Sequence, residues 1–204
     1  MEKLVGFVGY ECEDIVLYLA KVLSCLGKKV AIVDRTEQEM LLEMLEIPRG
    51  KEGREGNCFE LCITNQGVRD EEFDMVFYLF GYRLVHPKLY ECGMLIMITD
   101  GVPAHAALLR KIGSWSRRQY LLIRNLVPMK HTEHYLALLA DNEKNYFEIP
   151  YEETDIQIRY SLGSHEELGI KNLSHWMKKA VLVLARFIMP GYQDRFIWEI
   201  MRKM

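Results

Sequence analysis

The chain has 204 residues, half of them apolar, with 26 basic and 29 acidic side chains and a formal net charge of −3. That length suits one domain, or one domain with an appended segment, and it buries roughly 70% of its unfolded surface without needing a disulfide or metal staple. The near-balanced charge excludes a diffuse basic grip on nucleic acid, and 14 Gly with 6 Pro are too few for a disordered or fibrous chain.

Residues 4–9 are almost wholly apolar and end in Gly, as a buried strand does. From 13 to 26 the apolar residues Ile15, Val16, Leu19, Val22, Leu23 and Leu26 fall at helical spacing, and Gly27 stands where a helix C-cap belongs. Residues 30–33 predict a second buried strand. A short helix follows over 37–45, stopped by Pro48, and 51–57, with two Gly and four charges, reads as an exposed loop. Residues 58–64 predict an edge strand, and 75–80 and 94–99 predict buried ones. A helix over 102–112 opens with Pro103 in its first turn. Then come a strand over 120–123, a helix over 132–140 and a strand over 146–149 closed by Pro150. A long helix spans 173–189, Pro190-Gly191 ends it, and 193–204 forms a last helix. Alternating strands and helices mean βαβ units. The expected fold is α/β, a mostly parallel doubly wound sheet with helices on both faces. The expected organisation is an α/β domain over 1–190 and a helical tail over 191–204.

The five cysteines, Cys12, Cys25, Cys58, Cys62 and Cys92, are odd in number and contain no C-x-x-C pair. Neither a disulfide framework nor a zinc site is expected, and a reducing cytoplasm is the natural compartment. The start lacks the apolar core of a signal peptide, and no apolar run is long enough to span a membrane.

In an open α/β sheet, ligands bind at the carboxyl ends of the strands. The first such loop reads Gly9-Tyr10-Glu11-Cys12-Glu13-Asp14. Leu19-Ala20 follows, then Gly27-Lys28-Lys29 and Val30-Ala31-Ile32-Val33-Asp34-Arg35-Thr36-Glu37-Gln38. In order and spacing this resembles the MinD/ParA-type ATPases, the deviant Walker branch of the P-loop NTPases. Those proteins carry K-G-G-x-G-K-[ST]-[ST], an L-A pair, and a strand ending in D-x-D-P-Q. Phe73-Asp74-Met75-Val76-Phe77-Tyr78-Leu79 is similar to their Walker B strand. Met94–Thr99 is similar to the strand ending in small polar residues. Leu121-Leu122-Ile123-Arg124-Asn125 is similar to the strand closing on a base-contacting Asn, and Ile149-Pro150-Tyr151 to their I-P-[YD] turn. The resemblance covers about residues 1–188, and by analogy the chain most resembles the TadZ/CpaE type of localisation factor.

The resemblance implies a nucleotide site at Gly9, Tyr10, Glu11, Cys12, Glu13, Asp34, Leu79 and Asn125, but this sequence departs from it at each chemically active position. Phe7 stands for the signature lysine, Cys12 for the phosphate lysine and Glu13 for the magnesium hydroxyl. Thr36 stands for the second Asp and Leu79 for the Walker B acid. Glycines let backbone N–H groups wrap phosphates, whereas Glu11, Glu13 and Asp14 place three carboxylates there. At ~4 Å and an effective dielectric of ~20, each carboxylate–phosphate pair costs about 4 kcal/mol. The acidic run is therefore read as the capped start of a helix. The expectation is a degenerate pseudo-ATPase without ATP, metal or other cofactor and without catalytic residues, which localises or assembles other proteins, pilus or secretion machinery among them. The alternatives are a diverged nucleotide-binding ATPase and a non-hydrolysing nucleotide sensor using Asn125.

Other constellations are weaker. His131 and His134, three apart beside Glu133, have no third ligand in view, and His86, His105, His165 and His175 are scattered, so surface histidines are expected. Cys12 reads as a buried thiol rather than a nucleophile. Lys111, Arg117, Arg118, Arg124 and Lys130, around Trp115 and Tyr120, read as a solvated basic stretch. In the tail, Phe196, Ile197, Ile200, Met201 and Met204 share one helical face, away from Arg195, Glu199, Arg202 and Lys203. Docking on its own domain is the first reading, a partner helix the second and a membrane-surface helix the third. The expected partners are proteins, including a second copy of the chain, and not nucleic acid. The place is the cytoplasm, with peripheral contact at the inner face of the membrane through the C-terminal helix as the alternative.

Overall fold

The computed structural model describes residues 3–48, 53–54, 61–109, 118–127, 146–162 and 169–204. Its strands are β1 (Leu4–Gly9), β2 (Val30–Asp34), β3 (Gly53–Arg54), β4 (Leu61–Thr64), β5 (Met75–Gly81), β6 (Met94–Thr99), β7 (Arg118–Leu126) and β8 (Tyr146–Pro150). Its helices are α1 (Glu13–Cys25), α2 (Met40–Met44), α3 (Pro87–Glu91), α4 (Pro103–Leu109), α5 (Glu153–Tyr160), α6 (His175–Ile188) and α7 (Asp194–Lys203). The sheet order is β3-β4-β2-β5-β1-β6-β7-β8. All pairings are parallel except that of β3 with β4. The chain runs outward from β1 to β2 and β4, returns to insert β5 between β2 and β1, and then continues through β6 on the other side.

Alternate residues of the strands feed two cores, as the two-residue period of a strand requires. Val5, Phe7, Ile32 and Phe77 face α1, α6 and α7, while Val8, Val33, Tyr78 and Leu95 face α3 and α4. Gly6 lets α3 lie close: an added Cβ would stand 3.1 Å from Leu95 and 3.3 Å from the Cys92 sulfur. Helix α1 is buried along most of its length. It ends in a left-handed Gly27 (φ +81°), with Gly27 N–H donating to Ser24 and Lys28 N–H to Leu23, which satisfies its last carbonyls.

Several expectations are corrected. The helix expected from residue 37 starts at Met40, because Glu39 is left-handed (φ +53°) and the preceding loop is held by side chains. Thr36 N–H and Oγ1 both donate to Asp34 Oδ1, at 2.9 and 2.7 Å, and Leu41 N–H donates to Asp34 Oδ2 at 2.9 Å. Part of the expected loop over 51–57 is strand: Gly53 and Arg54 pair with Ile63 and Cys62, so β3 is the edge and β4 lies one strand in. Strand β7 runs past both ends of 120–123. The short α3 and the weakly amphipathic α5 had no apolar stripe to announce them. Helix α6 begins at His175, where Ser174 accepts from Met177 N–H at 3.0 Å and is itself held by Asp155. Cys25 is disulfide-bonded, against expectation, with its partner outside the described residues, whereas Cys12, Cys62 and Cys92 are buried thiols. The helix expected over 132–140 lies outside the described residues.

Helix α7 turns back onto α6, α1 and the 3-10 turn at Ile170–Asn172. Ile197 and Met201 are fully buried, with Trp198 and Met204 packed partly against them. The docked face is rotated from the one read in the sequence: Ile200 is half-buried and Phe196 is 51% exposed. Among the described residues no helix is long and apolar enough to cross a membrane.

Candidate functional site

The β1–α1 loop lies at the carboxyl edge of the sheet, beside the place where the chain order switches between β5 and β6. Gly9 has φ +115°, and a Cβ there would sit 1.9 Å from the Ile98 carbonyl oxygen. Only glycine can pass this close to β6, and Tyr10 N–H then donates to that same oxygen at 2.9 Å. Glu11 is left-handed (φ +46°). Cys12 is fully buried, its thiol donating to the Gly9 carbonyl at 3.6 Å. Burial, and then the carboxylates of Glu13 and Asp14, push that thiol well above its ordinary pKa, so it is not a reactive nucleophile.

The carboxylates meet arginines from the far end of the chain. Asp14 and Arg124 are both fully buried and form a bidentate pair, Nη1–Oδ1 at 2.8 Å and Nη2–Oδ2 at 2.9 Å. Arg124 Nη1 also donates to the Glu11 carbonyl. Burial works against the Arg124 charge, but Asp14 more than offsets it and holds the guanidinium above its usual pKa. Arg159, on α5, pairs with the Glu11 carboxylate and lies 3.5 Å from Glu13 Oε2. That second contact is too long for a hydrogen bond, and Glu13 Oε2 is buried without one. Burial raises the Glu13 pKa, with Asp14 and Asp34 adding to the rise while Arg159 opposes it.

Two expectations change here. The acidic run does not cap α1 in the ordinary way, since Cys12 at the N-cap makes no side-chain cap bond. Asp14 takes a helix N–H, from Ile15 at 2.8 Å. Arg124 is not part of a solvated basic stretch; its charge is spent inside the fold. Of the rest of that stretch, Arg118 lies over the Phe187 ring at 4.7 Å, Tyr120 is buried, and Lys111, Trp115, Arg117 and Lys130 lie outside the described residues. So do His131, Glu133, His134 and His165.

The other positions of the expected nucleotide site make contacts within the fold. Asp34 closes the β2–α2 loop as described above. Leu79 is fully buried in the sheet between Phe7 and Asp34. Asn125 is left-handed (φ +56°) at a bulge near the end of β7. Tyr10 stacks on His105 at 4.6 Å between ring centroids, and His105 Nδ1 is 2.8 Å from Asp100 Oδ1. Burial and a hydrogen bond to Glu11 raise the Tyr10 pKa to about 12. Among the described residues no three His, Cys, Asp or Glu side chains are placed to hold a metal. In the first loop three carboxylates, Glu11, Glu13 and Asp14, stand beside two guanidiniums, Arg124 and Arg159.

No protein-family model and no curated protein matches the chain. Solved structures do. It is similar to MinD in the MinC:MinD cell division protein complex of Aquifex aeolicus, with a TM-score of 0.69 at 10% identity over 94% of this chain and 97% of that one. It is similar to a ParA family ATPase from Chlorobium tepidum, with a TM-score of 0.65 at 14% identity over 93% and 99%. A Cyanothece McdA variant in complex with ATP gives a TM-score of 0.62 at 10% identity over 90% and 96%. The chain has the fold of the MinD/ParA-type P-loop ATPases.

Proposed function

We propose that the chain is a catalytically silent MinD/ParA-type module that localises or assembles other proteins. The observation that supports this best is the ion-pair network in the first loop: Arg124 and Arg159 engage Asp14, Glu11 and Glu13 where a P-loop would wrap phosphates. Arginine brought to a phosphate site would favour nucleotide, but here three acids outnumber the two arginines, and Asp14 and Glu11 engage them directly. The chain then works through its surface, in the cytoplasm, on protein partners or a second copy of itself. A TadZ/CpaE-like role at pilus or secretion machinery follows from the sequence resemblance. Helix α7 is spent on its own domain, so a membrane role would require it to undock.

Thermal unfolding with and without millimolar magnesium–ATP tests the reading. Ligand at ~100 times its dissociation constant adds about 2.7 kcal/mol, a rise of several degrees. The expected shift is none, with no phosphate release. A clear rise would return the chain to the nucleotide-binding class.

A further inference from the structure

A second cluster lies at the same edge of the sheet, where β2 and β5 end. Arg35 follows β2, and Arg83 and His86 follow β5, its immediate neighbour. Arg83 Nη1 donates to the Arg35 carbonyl at 3.2 Å, on the exposed side of two segments that the β2–β5 pairing already sets side by side. Both arginines act on His86, whose pKa is lowered first by burial and then by their charges. His86 Nδ1 accepts from Lys88 N–H at 3.2 Å, so the neutral ring carries its proton on Nε2.

The three groups therefore present donors. Arg35 uses Nη1 on the Asn65 carbonyl at 2.6 Å, and its Nε is buried without a partner. Arg83 is exposed. Among the described residues no carboxylate pairs with Arg35 or Arg83, although nearby cations are matched: Lys88 by Glu91 and Asp70, Arg69 by Glu72. In a chain with net charge −3, two arginines on adjoining segments, both acting on His86 and neither paired with a carboxylate among the described residues, form a local positive spot. It sits beside the exposed apolar side chain of Val85, at 84% exposure.

We propose that Arg35, Arg83 and His86, with Val85 beside them, form a docking point for a carboxylate-bearing, partly apolar segment of a partner protein. Charge complementarity selects the occupant: planar guanidiniums take carboxylates in a two-pronged grip, and the exposed Val85 favours an apolar residue next to the acid. This deepens the reading of the chain as a protein-binding module and rests on it. It does not depend on the ion pairs of the first loop.

The test is fluorescence anisotropy with a labelled hexapeptide of alternating Asp and Leu, and with the Asn–Leu peptide as its uncharged match. The intact chain is expected to bind the first and not the second, and to lose affinity as salt is raised. Arg83→Glu is exposed and should keep the melting temperature while weakening binding at least tenfold; Lys203→Glu, on α7, should leave binding unchanged. The proposal is overturned if the Asp–Leu peptide does not bind, if both peptides bind alike, or if Arg83→Glu binds like the parent. It is also overturned if inorganic phosphate binds the spot as tightly as the peptide, which would make it a small-anion site. The magnesium–ATP melting experiment is read separately, so failure of one is not mistaken for failure of the other.

Discussion

Replacing Arg124 with Met keeps much of its volume and removes its charge. Asp14 would then be a fully buried carboxylate with its two guanidinium bonds gone, and the Glu11 carbonyl would lose its donor. Removing one partner of a buried pair costs about 3–5 kcal/mol, because the other charge is stranded. In a domain of ordinary stability, ~5–15 kcal/mol, that is a large fraction, and it lowers the melting temperature by roughly 6–20 °C. Urea unfolding followed by circular dichroism measures the loss. The double variant Asp14→Leu/Arg124→Met removes both charges and should recover most of it, since an apolar replacement of the whole pair is often neutral or better. A loss below ~1 kcal/mol for Arg124→Met alone would refute the reasoning. It would mean that water or a ligand reaches Asp14 and that the loop is open, as a working phosphate site requires.

Glu13 has a raised pKa in the fold, so its neutral form favours the folded state. That contribution is complete below the unfolded glutamate pKa and fades as pH rises through the folded value. Glu13→Gln should therefore melt higher than the parent at pH 8 and about level with it at pH 4; scans across that range that stay parallel would remove the burial account. Ile197→Ala, in the docked face of α7, should cost ~2–5 kcal/mol in chemical denaturation; a smaller change would indicate a helix only loosely attached.

The parallel sheet was legible because its central strands are short apolar runs and its long helices carry clear stripes. The edge was not: β3 is two residues long, and its pairing with β4 has no pattern to reveal it. The first loop was legible as a place, through Gly9 and the spacing to Asp34, but its occupants were misread. Glu11 and Asp14 looked like helix-capping acids because the sequence shows only local neighbours. Arg124 looked like one member of a basic stretch, although a lone charge after Leu121-Leu122-Ile123 in a strand was the available signal that it is buried and paired. Nothing in the sequence marked Arg159, which stands on a helix without a strong apolar face. The same holds for Arg35 and Arg83, which strand pairing alone brings together.

The Asp14–Arg124 pair joins residues 110 apart in the chain. Its two halves reach each other only after β5 and β6 have taken their places beside β1, so the contact closes a long loop. Such contacts repay their closure entropy late and slow the search for the native state. During synthesis, α1 is made long before the cation that neutralises its buried acid. Until β7 is added, settling α1 into the core would strand a charge. The site thereby acts as a checkpoint on completion, and chains truncated before Arg124 should remain loosely packed and prone to proteolysis even though most of the apolar strands are already present.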